Sequence, residues 1–331
     1  MESRVWCAPP TRKTGASDNR RVRTLAGHWL LGAVAILAVS VGSAASLQVP
    51  AMTSALASSA LLADSAVAGR RVVAVGAYGN VVYAPIDGKD LVWRQAGVPT
   101  QRLLTTTTFV NEREGWAGGH DSLILHTTDG GESWIIQHED PVPGGDLPKP
   151  ILDVLFSDDR HGIAVGAFSL LLETTDGGKS WTAVDTSALY DQLEAAEQEP
   201  EPNFNAIAKL GDGYLIVGEL GTLLHYRPRA PASEIWRIMP SPYAGSFFGV
   251  NALSTGELLI YGLRGHVFRS ADLGQTWVEV ATMVVTNIDD SLELTGGDLI
   301  LVGAEGTILR LRPGATATQK IPYPGFSTFA A

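Results

Sequence analysis

Short apolar runs, each broken by a glycine, recur along the chain. Six times a run of aliphatic or β-branched residues ends at a glycine, and a second apolar run follows after a tight turn. These glycines are Gly76, Gly119, Gly166, Gly218, Gly262 and Gly303, and successive ones are separated by 41 to 52 residues. A period of this length, filled with short strands, is typical of the blades of a β-propeller. Solenoids of paired helices are disfavoured, because glycine interrupts every segment.

The third repeat shows how one unit is composed. Residues 151–157, 161–167, 170–175 and 180–184 form four short segments, largely apolar and joined by tight turns. Nearly continuous apolar runs suit strands that are covered on both faces, as they are between neighbouring blades. The pattern therefore predicts an all-β fold, a β-propeller with four antiparallel strands in each blade.

A nonapeptide occurs in three of the repeats. It reads HTTDGGESW at 126–134 and ETTDGGKSW at 173–181, with a looser copy, RSADLGQTW, at 269–277. The motif falls between the third and fourth strands, where an aspartate can accept N–H groups of its own turn and glycine can adopt positive φ. The tryptophan can then fold into the seam between blades. Because the turn accounts for these residue types, we predict a structural and not a catalytic role for Asp129, Gly131, Trp134, Asp176, Gly178, Trp181, Asp272 and Trp277.

Six blades are visible, and a seventh is incomplete or missing. Residues 324–331, PGFSTFAA, resemble the first strand of a seventh blade that does not continue. Either the ring closes as six blades plus fragments, or the sequence is truncated. An open propeller would expose strand edges that invite pairing with a partner or aggregation.

The first 45 residues differ from the rest. A basic stretch at 19–24 precedes a largely apolar stretch at 25–42, with no charge except a possible one on His28, and small residues at 43–46, the order found in a secretory signal peptide. The alternative is an uncleaved membrane anchor, because 18 residues are close to the shortest length that spans a bilayer. We therefore divide the chain into a leader, 1–45, and a propeller domain, 46–331. We expect the protein in the periplasm, or in the thylakoid lumen of a photosynthetic host, either free or tethered by residues 25–42.

Charge and cysteine content narrow the possible partners. Residues 1–45 hold six of the 24 basic and two of the 35 acidic residues, so the remainder carries a net charge of −15. A strongly acidic domain repels phosphate backbones, which argues against nucleic acid as a partner. The single cysteine, Cys7, lies in the leader, and the histidines beyond it are scattered without metal-ligand spacing. We predict neither a metal site nor a cofactor.

Three further phrases resemble a particular family. The nonapeptides at 126–134, 173–181 and 269–277 resemble the Asp-box, a motif of propeller hairpins. Together with residues 59–79, 241–250 and 261–270, they resemble the exported proteobacterial relatives of the photosystem II stability/assembly factor. The resemblance covers about residues 55–325. It implies a seven-bladed, non-enzymatic chaperone that binds a membrane protein through a surface that includes arginines. The implied partner is a membrane-protein complex, either a photosystem component or a transporter.

A carbohydrate-active or glycan-binding propeller is the alternative, because sialidases also carry Asp-boxes. A sialidase needs three arginines for the substrate carboxylate and a Tyr–Glu nucleophile. No arginine motif precedes the first blade, and the isolated candidates Tyr78, Asp121, Glu219 and Glu305 lie in predicted turns. We therefore predict no catalytic residue.

Blade topology predicts where a partner binds. In a four-stranded blade the turn between the second and third strands shares a face with the connection to the next blade, and the Asp-boxes occupy the opposite face. We predict a binding surface on the first of these faces, formed by Arg264, Tyr78, Phe168, Tyr243 and Phe247. The alternative for the Phe247–Phe248 pair is that it begins the inner strand of the fifth blade and belongs to the core. The acidic segment 187–202, predicted as a short helix, is either a solvated insert or a docking element.

Overall fold

Six antiparallel sheets of four strands make up the part of the protein that the computed structural model describes, residues 49–87, 90–140 and 149–325. The predicted all-β propeller of four-stranded blades is confirmed. The predicted leader, 1–45, and residues 326–331 of the predicted seventh-blade strand lie outside the described residues. None of the helices in the described ranges is long and apolar enough to cross a membrane.

The first three blades follow one another along the chain, each from its inner to its outer strand. Their strands are β1 (Leu62–Ala68), β2 (Arg71–Gly76), β3 (Val81–Pro85) and β4 (Arg94–Gln95); β5 (Leu104–Phe109), β6 (Gly115–Gly119), β7 (Ile124–Thr127) and β8 (Ile135–His138); and β9 (Ile151–Phe156), β10 (Gly162–Gly166), β11 (Leu171–Thr174) and β12 (Thr182–Ala183).

The last three blades repeat this order. Their strands are β13 (Phe204–Leu210), β14 (Gly213–Gly218), β15 (Leu223–Tyr226) and β16 (Trp236–Ile238); β17 (Phe247–Ala252), β18 (Leu258–Gly262), β19 (Val267–Ser270) and β20 (Val278–Glu279); and β21 (Ile288–Glu293), β22 (Leu299–Gly303), β23 (Thr307–Leu311) and β24 (Gln319–Lys320). The helical elements are α1 (Ser187–Ala195) and 3-10 turns at Ala57–Ser59, Ala77–Gly79, Glu219–Gly221, Ala232–Glu234, Leu263–Gly265 and Ala304–Gly306.

The core lies in the seams between blades. A cluster of buried apolar side chains fills each seam from blades one and two to blades five and six. Strands β6, β10, β14 and β18 are accordingly buried at every position, whereas β22 alternates between buried and half-buried positions. Among the described residues, no comparable packing joins the inner strands of blades six and one. Blades two to five are thus covered on both faces, and blade six is covered mainly on one.

A close approach of two backbones explains the six repeated glycines. Each ends a second strand opposite a β-bulge near the start of the inner strand. A Cβ placed on Gly218 would lie 2.2 Å from the carbonyl oxygen of Asn203, and one on Gly303 would lie 2.0 Å from that of Asn287. The other four glycines meet an equivalent carbonyl at 2.1–2.5 Å. Glycine is required here for space, because no side chain fits between the strands.

The Asp-box turns are held by their aspartates. Asp129 Oδ1 accepts the N–H groups of Glu132 and Ser133 at 2.9 and 3.0 Å, and Oδ2 accepts the Ser133 hydroxyl at 2.5 Å. Asp176 accepts the N–H and hydroxyl of Ser180, and Asp272 accepts those of Thr276, as Asp129 does with Ser133. Hydrogen bonds from the Ser180 and Thr276 side chains lower the pKa of Asp176 and of Asp272 to about 2.

The Asp-box tryptophans pack toward the preceding blade. Trp134 is almost fully buried among residues of blades one and two, and its Nε1–H donates to the Gly131 carbonyl at 3.1 Å. Trp181 stands edge-on to Phe156 in the seam of blades two and three, and Trp277 packs in the seam of blades four and five. Gly131 and Gly178 have φ values of 87° and 78°, which glycine adopts most readily.

Removing one of these aspartates should destabilise the fold without changing its surface chemistry elsewhere. Asp129→Ala should lower the free energy of unfolding by about 0.5–2 kcal/mol, because it leaves two turn N–H groups without their acceptor. Urea unfolding measures the change, and Asp129→Asn, which keeps one acceptor oxygen, should recover part of it. An unchanged unfolding midpoint for Asp129→Ala would contradict a structural role.

The predicted acidic helix is present as α1, and it is anchored to the fold. Leu189 and Leu193, one helical turn apart, are both fully buried in the seam between blades three and four. The helix ends at Ala195, before the prolines that follow. It is therefore an amphipathic element that covers the core on one side.

Candidate partner-binding face

One face of the propeller is built from second-to-third-strand turns packed on connecting segments. Each such turn rests on the segment that leads to the next blade: Ser122 N–H donates to the Lys149 carbonyl, Ser169 N–H to that of Pro202, and Gly221 N–H to that of Gly245. Asparagines just before the inner strands hold other turns, since Asn203 Oδ1 accepts the Phe168 N–H and Asn287 Oδ1 accepts the Arg264 N–H. The arrangement presents the tip of every turn to solvent.

The tip residues share an unusual backbone conformation. In each turn both central residues have positive φ, and a hydrogen bond closes the turn from its fourth to its first residue, which defines a type I′ turn. The first central residues, which we call the crown, are Tyr78, Asp121, Phe168, Leu220, Arg264 and Glu305, with φ between 51° and 61°. Type I′ turns favour Asn, Asp or Gly at this position. A bulky side chain costs about 1 kcal/mol there, so five of the six crown positions, all except Asp121, are occupied against local preference.

Crown chemistry is that of a protein-binding surface. Tyr78, Phe168 and Leu220 are 71%, 55% and 62% exposed. Arg264 is also exposed, and its guanidinium makes no ion pair within the described part of the chain. Asp121, in contrast, is held by Arg102 at 2.9 Å. Exposed aromatic side chains and an unpaired arginine are the groups that contribute most to protein interfaces.

Two further residues belong to this face and were missed by the sequence analysis. Met283 and Val285, in the segment between blades five and six, are 91% and 85% exposed, and Met283 also has positive φ. They lie just before Asn287, which holds the Arg264 turn. From sequence, an apolar run such as Met283–Val285 suggests a strand. Only its place in the segment that connects two blades shows that it lies at the surface. The run extends the apolar surface beside Arg264.

One predicted surface residue is buried, and a second is only partly exposed. Phe247 is fully buried, so the prediction of an exposed Phe247 is wrong. It opens β17 at the position that Leu104, Ile151, Phe204 and Ile288 occupy in their blades, and all of these are buried. The bulge that follows turns Phe248 toward the central channel instead. Tyr243 is half-buried, with its ring 4.1 Å from that of His266, and so contributes packing as well as surface.

Carboxylates collect in the central channel. The cavity has a volume of about 310 Å³ and is lined by residues of all six inner strands, including Asp64, Asp153, Asp289 and Asp290. Asp64 Oδ2 accepts the Thr107 N–H at 2.6 Å, and Asp153 Oδ2 accepts the Ile207 N–H at 2.9 Å, in each case from the next blade. Desolvation raises the pKa of Asp64 to about 7 and that of Asp153 to about 6.

The channel predicts a pH dependence of stability. A carboxyl with a raised folded-state pKa stabilises the fold fully below its unfolded value of 3.8, and that contribution is lost as the pH rises toward 7. Asp64→Asn should therefore gain stability relative to the wild type between pH 4 and pH 7.5. His138 and His225, whose pKa is lowered by burial, are present in both proteins, so their titration cancels in the comparison. Thermal unfolding across this range measures the difference, and a pH-independent difference would contradict the assignment.

The geometry of the described residues does not favour a sialidase-like catalytic site. A tyrosine–glutamate pair exists between blades three and four, where the Tyr226 hydroxyl donates to Glu173 at 2.8 Å. Tyr226 is buried, and desolvation together with the Glu173 charge raises its pKa well above the ordinary value. A nucleophilic tyrosine needs the opposite shift and access to substrate. Within the described ranges, no group of three or more His, Cys, Asp or Glu could hold a metal ion.

Comparison with known families gives one sequence match. The sequence model of the photosynthesis system II assembly factor YCF48 matches residues 142–321, just over half of the chain. No curated protein matches the chain.

Solved structures share the fold. A structure of YCF48 bound to a D1 peptide has a TM-score of 0.59 at 19% identity, covering 78% of this chain and 80% of that one. YCF48 from Cyanidioschyzon merolae has a TM-score of 0.60 at 16% identity, covering 79% and 85%. The WD40 β-propeller domain of Doa1 has a TM-score of 0.61 at 13% identity, covering 85% and 87%. At these identities the similarity concerns the propeller fold.

Proposed function

Because the chain belongs to the family of the photosynthesis system II assembly factor YCF48, we propose that it is an exported, non-enzymatic propeller that binds a membrane protein and assists assembly of its complex. The crown is the observation that carries this proposal. Its bulky residues occupy turn positions that favour small polar ones, and such departures from local preference are expected at functional surfaces.

The partner class follows from the chemistry of the crown and from the family. YCF48 has been solved with a D1 peptide, so a member of this family binds a peptide segment. In the chain described here, apolar tips around Arg264 suit an extended segment with apolar side chains and an acidic group or a terminal carboxylate. The partner is a photosystem component in a photosynthetic host and another membrane-protein complex, such as a transporter, elsewhere.

Location outside the cytoplasmic membrane completes the proposal. The leader, 1–45, directs export, and the propeller then meets the exposed segments of newly inserted membrane proteins. Cell fractionation tests this part separately. A full-length cytoplasmic pool as the major species would overturn it.

Photo-crosslinking tests the binding face. A photoreactive phenylalanine analogue at Leu220, on the crown, should form adducts with a segment of a membrane protein in host membranes. The matched control is Leu273, an equally exposed leucine with positive φ in an Asp-box turn on the opposite face. Equal adducts from both positions, or adducts only with glycans, would contradict the proposal.

A further inference from the structure

The outer surface of blade six differs from that of every blade before it. Residues Leu292, Ile300, Val302 and Ile308 share one face of the sheet, because they pair across β21, β22 and β23 in register. On blade five the equivalent Leu259, Tyr261 and Val267 are fully buried by blade six. On blade six, Ile300, Val302 and Ile308 are only half-buried, and Leu292 is 60% exposed. We call these four residues the free face.

A carboxylate marks the inner edge of the free face. Asp290 occupies the inner-strand position of Asp64 and Asp153, the first paired position after the β-bulge near the start of the strand. Asp64 accepts the N–H of Ser65 on its own strand and that of Thr107 on the next blade. Asp153 likewise accepts the N–H of Val154 and that of Ile207 on the next blade. Where an aspartate occupies this position in an earlier blade, it thus fixes the following inner strand; the other blades carry Thr106, Ala206 and Gly249 there.

Asp290 lacks one of the two bonds that Asp64 and Asp153 make. It accepts the Tyr261 hydroxyl at 3.2 Å and lies within hydrogen-bonding reach of the Ser291 N–H on its own strand. No N–H of a following strand reaches it from within the described part of the chain. By analogy with Asp64 and Asp153, the missing donor is a backbone N–H on an extended segment that lies beside β21.

Charge further defines the segment that would fit. The channel beside the free face is lined by Asp64, Asp153, Asp289 and Asp290, and by no lysine or arginine among its described lining residues. A segment with basic side chains would complement these carboxylates. Apolar side chains at alternate positions would cover Leu292 and its neighbours.

We propose that the free face of blade six binds an extended segment of a partner polypeptide, apolar and basic at alternate positions, whose main-chain N–H donates to Asp290. The segment takes the place that the next inner strand takes in the other blades, where it belongs to a separate sheet and is bonded through the aspartate side chain. This surface is separate from the crown and does not depend on the crown's function.

A defined peptide tests the proposal on the full chain. The probe is an end-capped, fluorescein-labelled hexapeptide of alternating valine and lysine, titrated by fluorescence anisotropy. Saturable binding should weaken at least about tenfold in the Asp290→Asn, Leu292→Asn double variant. The matched control, Val278→Asn with Glu279→Gln on the outer strand β20, removes one exposed apolar group and one carboxylate and should leave the affinity unchanged.

Two altered peptides separate the two contributions. Methylation of all the main-chain amides removes the N–H donors and should abolish binding. Glutamate in place of lysine should weaken binding at least about tenfold. Crown variants should bind the hexapeptide as the wild type does, so failure of this proposal is distinguishable from failure of the proposed function.

Other occupants of the free face would be visible in the same experiments. Dimerisation of the wild type that the double variant abolishes would assign the face to a second copy. Slow amide exchange of residues 326–331 without peptide, lost in the double variant, would assign it to the chain itself. Either result, or hexapeptide affinity equal in the wild type and the double variant, would overturn the proposal.

Discussion

Gly218→Ala should lower the free energy of unfolding by about 3 kcal/mol, the upper end of the usual effect of overpacking. The added methyl group would lie 2.2 Å from the Asn203 carbonyl oxygen, which is backbone and cannot rotate away. Relief requires β13 to move from β14 at its first residue, and that residue, Phe204, is fully buried in the seam between blades three and four. Urea unfolding monitored by tryptophan fluorescence measures the loss.

A second glycine provides the control for this experiment. A Cβ on Gly97 would meet only the Glu132 carbonyl oxygen, at 4.0 Å, and Gly97 does not require positive φ. Gly97→Ala should therefore change stability by no more than about 0.5 kcal/mol. Equal losses for the two variants would show that backbone entropy, and not the close approach, explains the repeated glycines.

The blade architecture could be predicted because residues close together in the sequence determine it and because the same pattern is repeated. Each anchor glycine, such as Gly166, meets the start of the inner strand of its own blade, so one short unit contains the cause of its own geometry. The Asp-box turns are equally local, since the Asp129 carboxylate bonds to residues within four positions of Asp129. Because such units occur six times, the fold can be predicted without information on tertiary contacts.

The binding face could be predicted in outline and not in every residue. Topology placed Tyr78, Phe168 and Arg264 at turn tips, where they lie. The sequence leaves two places for the Phe247–Phe248 pair, the surface and the core, and a single β-bulge decides which side chain is buried, because one inserted residue reverses the alternation of a strand. The sequence also predicts Tyr243 at the surface. Its partial burial could not be predicted, because its contact with His266 depends on a turn 20 residues away.

The channel carboxylates escaped the sequence analysis for a different reason. Asp64, Asp153 and Asp290 are separated by more than 80 residues along the chain, and the ring alone brings them to one cavity. Their common position within the repeat becomes informative only when the inner strands are aligned through their bulges. Sequence spacing gives no indication of such a site.

Replacing three crown residues should separate binding from stability. In a variant with Phe168→Asn, Leu220→Asn and Arg264→Asn, each type I′ turn receives a residue that it favours, so we expect unfolding to become harder by about 0.5 kcal/mol per site. Partner affinity should nevertheless fall about 100-fold, because the apolar tips and the unpaired guanidinium are lost together. A structural role for these residues predicts the opposite change in stability.

The dissociation constant of this triple variant tests the central claim most directly. The ligand is the membrane-protein segment recovered from the Leu220 crosslink, titrated as a synthetic peptide against the wild type, the triple variant and Leu273→Asn, the control on the Asp-box face. The account predicts a loss of about 100-fold for the triple variant at an equal or higher unfolding temperature, and wild-type affinity for Leu273→Asn. Wild-type affinity in the triple variant would show that the crown is not the binding surface.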